Sequence, residues 1–326
     1  MRKNIFGTVI TGIAAAILLI GTPGSEKGAG MIVHASEALA TEDETSVEMA
    51  EGTVYPLTVT DDLGIEITIE EEPQRVVSLS PSNTEILYAI GAGDRVVGRT
   101  DYCNYPEEVL EVESIGSYYS PNTELILSVS ADIVFASDYM DDSIREQLED
   151  NGVKVVIFSA VDVESVENDI LLAGQILNCT EEAAQVTEEM ESEMEELQEI
   201  LADKTEIKSV FIDIGSFYSA GPGSLLDSML TDIGAENIVS DTGETWPQLS
   251  VETIIEKNPD IYVSLYTTPE ELKEISGFEA LDCIVNDQIV YFDGSSEEGD
   301  IIQRAGPRLV EGTWLMAEQI YPELFE

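Results

Sequence analysis

Two similar α/β lobes around a cleft, joined by a single long linking helix, are what this 326-residue sequence predicts. Three observations lead there. First, one phrase occurs twice: Asn122-Thr123-Glu124-Leu125-Ile126-Leu127 runs on to Ala131-Asp132-Ile133-Val134, and Ser250-Val251-Glu252-Thr253-Ile254-Ile255 runs on to Pro259-Asp260-Ile261-Tyr262-Val263. In both, a polar residue stands two before a Glu, aliphatics follow, and an Asp opens an apolar run eight residues after the Glu. Second, Ile90-Gly91-Ala92 and Ile233-Gly234-Ala235 each close a helical stretch ahead of an apolar run, Val96-Val97 and Ile238-Val239. Third, a stretch between the halves, Glu181 to Asp203, holds no Gly or Pro and keeps helical spacing. Two lobes make a cleft, and clefts between lobes are where small ligands bind.

The elements follow in order. Val54 to Glu70 alternates around Asp61-Asp62-Leu63-Gly64 and reads as a β-hairpin. Arg75 to Leu79 is a short buried strand, Asn83 to Ile90 a helix, and Val96-Val97 the next strand. Ile133-Val134-Phe135 and Val153 to Phe158 are further strands, separated by a helix over Ser143 to Asp150. This alternation argues for parallel βα units. Residues 53–164 form the N-terminal lobe in this reading, and 165–205 the linking helical segment. In that segment Ile170, Ala173, Ile176, Leu177, Val186, Met190, Met194, Leu197 and Leu201 fall on helical spacing. A continuous helix over Glu181 to Asp203, about 23 residues, spans about 35 Å, a rigid strut. Residues 206–326 form the C-terminal lobe, with strands at Ser209 to Ile212, Ile261 to Leu265 and Gln288 to Phe292. Its helices are expected at Ser224 to Ile233, Val251 to Lys257 and Arg308 to Ile320.

The N-terminus reads as an export signal or anchor over residues 1–40: Arg2 and Lys3 precede an almost wholly apolar Ile5 to Ile20. Leu19-Ile20-Gly21-Thr22 has the shape of a lipoprotein cleavage box with Thr22 in place of the lipidated Cys, and Ala38-Leu39-Ala40 offers an A-x-A site. Residues 41–52 (TEDETSVEMAEG) are an acidic flexible spacer. The protein is therefore expected outside the cytoplasm, at the cell surface or in the periplasm. Its only membrane association is through the N-terminus or a membrane partner.

With 66 acidic and 14 basic residues the net charge is −52. Such a surface repels phosphate backbones, which argues against nucleic-acid binding. Three cysteines, Cys103, Cys179 and Cys283, are too few for a disulfide framework and leave one pair open. The single histidine, His34, falls in the leader, so the exported part lacks Ser-His-Asp and Cys-His constellations and His-ligated metal sites. Gly221-Pro222-Gly223 and Gly91-Ala92-Gly93 lack the third glycine of a dinucleotide fingerprint and read as turns. Nothing calls for an enzyme, a resident cofactor or a metal.

Arg75-Val-Val-Ser-Leu-Ser-Pro-Ser-Asn-Thr-Glu-Ile-Leu87, Ile90-Gly-Ala-Gly93 and Asp101-Tyr-Cys-Asn-Tyr-Pro106 resemble the first lobe of a substrate-binding protein for ABC import. The class is the helix-linked one, the class III periplasmic-binding-protein fold, which carries cobalamin, ferric siderophores, haem or transition metals. The resemblance covers essentially everything after residue 53, and Thr245-Trp246-Pro247-Gln248 looks most like the cobalamin branch. It implies cobalamin or a related corrinoid as ligand, with Tyr102, Tyr118, Tyr218 and Trp246 as aromatic walls of the cleft and Asp300 with Arg304 as a polar pair on the corrin side chains. One family aromatic is replaced by Ser137, with Tyr139 as stand-in. The resemblance further implies that Glu124 and Glu252 dock onto an ABC permease dimer served by its ATPase subunits. From the residues alone, the tyrosines and tryptophan read equally as loop plugs. Asp300 and Arg304 read as an i,i+4 helix pair, and each Glu as a first-turn carboxylate favoured by the helix dipole. The rivals are the same fold carrying a ferric siderophore or haem, and a surface enzyme or sensor that reuses it.

Overall fold

The alternating segment ahead of Asp61 folds back on itself: β1 (Leu57–Thr60) pairs antiparallel with β2 (Glu66–Ile69). The turn is held by Asp61, whose carboxylate accepts from the Leu63 and Ile65 amides. This computed structural model describes residues 52–325. The export signal over 1–40 and all but the last residue of the 41–52 spacer lie outside the described residues. Among the described residues no helix is long and apolar enough to cross a membrane.

In the N-terminal lobe, β3 (Val76–Ser78), β4 (Val96–Arg99), β7 (Ile133–Ser137) and β8 (Lys154–Phe158) form a parallel sheet in the order β4-β3-β7-β8. The connections carry α1 (Pro81–Ala89), a small hairpin of β5 (Gly116–Ser117) and β6 (Ser120–Pro121), α2 (Thr123–Ser128) and α3 (Asp142–Asp150). The C-terminal lobe repeats the plan. β9 (Ser209–Asp213), β10 (Glu236–Asn237), β11 (Ile261–Ser264) and β12 (Ile289–Tyr291) are parallel in the order β10-β9-β11-β12. Their helices are α6 (Leu225–Asp232), α7 (Val251–Lys257), α8 (Pro269–Glu274), α9 (Asp282–Val285), α10 (Glu297–Gln303) and α11 (Leu309–Ile320). Each sheet thus places its second strand outside its first, and then runs outward on the other side.

The duplicated phrase has a duplicated structure. Asn122 caps α2 by accepting from the Leu125 amide, and Ser250 caps α7 by accepting from the Thr253 amide. Glu124 and Glu252 then fall at the same place in the first turn, both exposed, where the helix dipole favours an anion. Asp132 accepts from the Gln74 and Arg75 amides at the entry to β3, and Asp260 accepts from the Ser209 amide at the entry to β9. In each half the phrase therefore caps a helix and pins the lobe's first strand beside its third. The two Ile-Gly-Ala triplets also behave alike. Ala92 N–H donates to Leu87 O at 2.8 Å and Ala235 N–H to Leu230 O at 2.8 Å, closing α1 and α6 around Gly91 and Gly234, whose positive φ the motif requires.

The linking helical segment expected over 165–205 holds two helices, α4 (Val163–Ile176) and α5 (Thr180–Leu201), and the continuous helix expected over Glu181 to Asp203 is α5. Asn178, at φ 55°, ends α4 with the Cys179 amide bonded back to Gly174 O. Gly174 lets the pair lie close, because a Cβ there would overlap Ala183. The strut is α5: its 22 residues rise about 33 Å. It packs on α1 at one end and α11 at the other, where Trp314 Nε1 donates to Glu193 O. One apolar core runs from the hairpin through α1 and the strut into α6 and α11. Cys103, Cys179 and Cys283 are all buried free thiols.

A candidate ligand-binding cleft

Parallel strands present their carboxyl ends, and the loops that leave them, on one edge of a sheet, and ligands settle there. Both sheets turn that edge to a common cleft. From the N-terminal lobe come the α1 start at Ser80–Asn83, the segment after β7 at Ser137–Tyr139, and the segment after β8 at Ser159–Val161. From the other lobe come Gly223–Leu225, Trp246 and Gln303–Ala305. The cavity holds about 430 Å³ and continues into an adjoining space of about 440 Å³ that shares Tyr119, Tyr139, Leu225, Trp246 and Gln303.

Tyrosines dominate the N-terminal wall. Tyr118 packs edge-on against Tyr119 with centroids 5.0 Å apart and meets Tyr139 at 6.1 Å, while Tyr102 stands 6.3 Å from Tyr119. The Tyr118 hydroxyl and Ser137 Oγ are hydrogen-bonded at 3.0 Å, and burial pushes the Tyr118 phenol above its ordinary pKa. Ser137 thus anchors a neighbouring ring in place of being one, and Tyr139 fills the wall beside it. Opposite stands Trp246, 49% exposed. Its loop is held by Ser219 N–H to Pro247 O and Gly221 N–H to Thr245 O, both at 2.8 Å. Gly221 is needed because a Cβ would run into the Glu244 carbonyl.

Of the residues expected at the ligand, Tyr102, Tyr118, Trp246 and Arg304 line the cavity, with Tyr139. Tyr218 and Asp300 do not. Tyr218 lies in the bridge to Gln248 that supports the Trp246 loop. Asp300 is occupied: its Oδ2 takes Arg304 Nη2 at 2.7 Å and Asn104 Nδ2 at 3.0 Å. Arg304 is the one cation among the described residues that line the cavity, and its other terminal nitrogen meets Glu85 Oε1 at 2.8 Å. Glu85 also accepts from Arg308 Nε and Nη2 at 2.9 Å each. Glu85, Tyr119 and Asp169 escaped the sequence reading. Tyr119 was within reach, as the neighbour of Tyr118 in a two-residue turn. Glu85 pairs across 219 residues, and nothing local marks that partnership.

Asp169, from α4, sits at the cavity floor with 2% of its surface exposed. Burial, reinforced by the adjacent Asp62 carboxylate, pushes its pKa up to about 9, so it is a neutral acid at pH 7. Asp62 is held in turn by the Ser159 amide at 2.6 Å. Two helix starts also face the cleft: Ser80 and Ser224 cap α1 and α6 there. The walls therefore offer aromatic faces, neutral donors and a compensated arginine. Among the described residues no cluster of side chains suits a metal ion.

Two like-built lobes, a strut, and an aromatic cleft between strand ends define a protein that captures a small ligand. The chain belongs to the periplasmic binding protein family, whose model matches residues 76–294. Over 285 residues it is 34% identical to an uncharacterized ABC transporter substrate-binding lipoprotein of Bacillus subtilis, covering 84% of this chain and 88% of that one. It is 26% identical over 275 residues to a cobalamin-binding protein of Halobacterium salinarum, covering 82% and 74%. Its fold matches the crystal structure of the periplasmic vitamin B12 binding protein of Vibrio cholerae with a TM-score of 0.67 at 20% identity, covering 78% and 98%. It is thus a substrate-binding protein of an ABC transporter and not an enzyme, and it shares its fold with solved vitamin B12- and haem-binding proteins.

Proposed function

We propose that this protein captures cobalamin or a related corrinoid outside the cytoplasm and delivers it to an ABC permease dimer. The observation that carries the reading is the chemistry of the cleft: broad aromatic faces with no uncompensated cation among the described lining residues. A corrin is a wide, flat, largely apolar macrocycle rimmed with neutral amides. Tyrosine and tryptophan rings give it contact area at low entropic cost. Amide rims want neutral donors and acceptors, which the helix starts at Ser80 and Ser224 and the Gln303 amide supply. Haem propionates and catecholate siderophores call instead for free arginine or lysine. Glu124 and Glu252, exposed on equivalent capped turns, suit a partner with two-fold symmetry, as a permease dimer has.

Titration with cyanocobalamin, followed by calorimetry and tryptophan fluorescence, tests the reading. The chain has two tryptophans, and Trp314 packs on Phe325 in the strut-side core, so Trp246 is the reporter. Stoichiometric binding with quenching abolished in Trp246→Phe is expected. Absence of binding at micromolar ligand overturns the corrinoid assignment.

A further inference from the structure

Arg304 is the side chain most able to draw an anionic ligand into the cleft, and the structure withholds it. A guanidinium offers donors in a fixed fork, and each terminal nitrogen of Arg304 already faces a carboxylate, one Glu85 at 2.8 Å and the other Asp300 at 2.7 Å, so its charge is compensated. Asp300 is the softer restraint, with 24% of its side chain exposed against 2% for Glu85. Glu85 cannot swing aside. Its other oxygen receives Arg308 Nε, and the Arg308 guanidinium is fixed by stacking 3.7 Å over the Tyr105 ring. Glu85 belongs to α1 of the N-terminal lobe, whereas Arg304 and Arg308 flank Gly306 in the other lobe. A Cβ at Gly306 would lie 3.4 Å from Ser82 O, so the two segments abut. A ligand carboxylate that reached Arg304 would meet a guanidinium already neutralised by two carboxylates, and taking its Nη1 would displace a buried, doubly bonded carboxylate and strand it.

From this geometry we infer that Glu85 is a specificity-determining residue of the cleft: by holding Arg304 it excludes anionic ligands and reserves the site for uncharged ones. The inference rests on the corrinoid reading for its first probe only. Selectivity of this kind comes from a repulsive element as much as from attractive contacts, and Glu85 supplies it by occupying the one cation among the described residues that line the cavity. Arg304, Arg308, Glu85 and Asp300 then form one charge-balanced cluster at the cavity wall.

The test compares cyanocobalamin with its b-, d- and e-monocarboxylic acids, in each of which one peripheral amide has become a carboxylate. The wild-type protein is expected to bind every acid more weakly than the parent. Glu85→Gln should shift the acid-to-parent affinity ratio toward the acid by about tenfold for at least one isomer, the scale of a charge-assisted hydrogen bond. The double variant Glu85→Gln/Arg304→Gln should return that ratio to the wild-type value, which a merely structural role for Glu85 would not do. Unchanged ratios for all three isomers in a cooperatively melting Glu85→Gln protein overturn the inference. Should Glu85→Gln fail to fold, Glu85→Asp, which keeps the charge but shortens its reach to Arg304, must move the same ratio in the same direction; no movement in that variant overturns it equally. Failure of the wild type to bind any corrinoid overturns the proposed function alone. The comparison then passes to hemin and its dimethyl ester, where the wild type should favour the ester, Glu85→Gln should shift toward the diacid, and an unmoved preference refutes the role of Glu85.

Discussion

Asp169 gives the sharpest quantitative expectation. Its carboxyl is buried beside Asp62, and burial first, then that neighbouring charge, raises its pKa to about 9. In the unfolded chain the same group ionises near pH 3.9. Between those values the native state holds one proton more than the unfolded state, so this group makes stability fall as pH rises through the whole window. The slope is about 1.4 kcal/mol per pH unit, and neutrality lies about three units above the unfolded pKa, so the contribution by pH 7 reaches about 4 kcal/mol. Asp169→Asn keeps the shape and the donor and removes the titration. The variant should match the wild type near pH 4 and become progressively more stable than it toward pH 8. Urea unfolding of both proteins at half-unit steps of pH measures this directly, and taking the difference removes the large background from a net charge of −52. A difference that stays flat from pH 4 to pH 8 would show that Asp169 is ionised in the folded protein. It would also add a second carboxylate to a cavity lining that already holds Asp138.

Three further outcomes are expected. The double substitution Glu124→Arg/Glu252→Arg should leave ligand affinity unchanged and abolish uptake in cells carrying the transporter; normal uptake would remove the docking role. Asp260→Ala deletes the acceptor for the Ser209 amide and hydroxyl, at 2.8 and 2.7 Å, and should cost about 1–3 kcal/mol in urea unfolding, with Asp132→Ala costing a similar amount. Gly221→Ala drives a Cβ into the Glu244 carbonyl, so it should cost about 1–3 kcal/mol and, by displacing the Trp246 loop, weaken ligand-induced quenching.

Much of the fold was legible because its determinants are local. A capping Asn or Ser followed by Glu at the second helical position announces a helix start within four residues, as Asn122 and Ser250 do. Gly91 and Gly234 announce helix ends by the conformation only glycine adopts easily. The same locality explains what was missed. The break between α4 and α5 lies at Leu177-Asn178-Cys179, where Asn takes the left-handed role and no Gly or Pro flags it. Helices α8, α9 and α10 are at most seven residues long, too short to establish a period. The cleft aromatics could be anticipated as a set, but which of them face the cavity depends on loop geometry. Tyr218 and Tyr119 exchange places on that account. The Asp300–Arg304 pair was visible as an i,i+4 spacing, yet its meaning changes once Glu85 arrives from the other lobe.

The duplication and the cleft obey different symmetries, and the difference bears on function. Residues inside the repeated phrase point away from the cleft or lock strands: Glu124 and Glu252 on matched exposed turns, Asp132 and Asp260 on matched strand entries. Residues that line the cavity fall outside it. Four tyrosines stand on the N-terminal wall, whereas Trp246 and Arg304 face them from the other lobe. A dimeric permease would present the same surface twice, and would select for matched positions. A macrocycle with unlike faces and edges presents nothing twice, and would select for divergence at the strand ends. Likeness of the outer turns between the two lobes, alongside unlike cleft walls, would suit a molecule placed between an asymmetric ligand and a symmetric transporter. The Glu85 cluster lies where those demands would meet, on the seam between α1 and the start of α11, so on the inference above its charge balance would bear on both the ligand admitted and the fit of one lobe against the other.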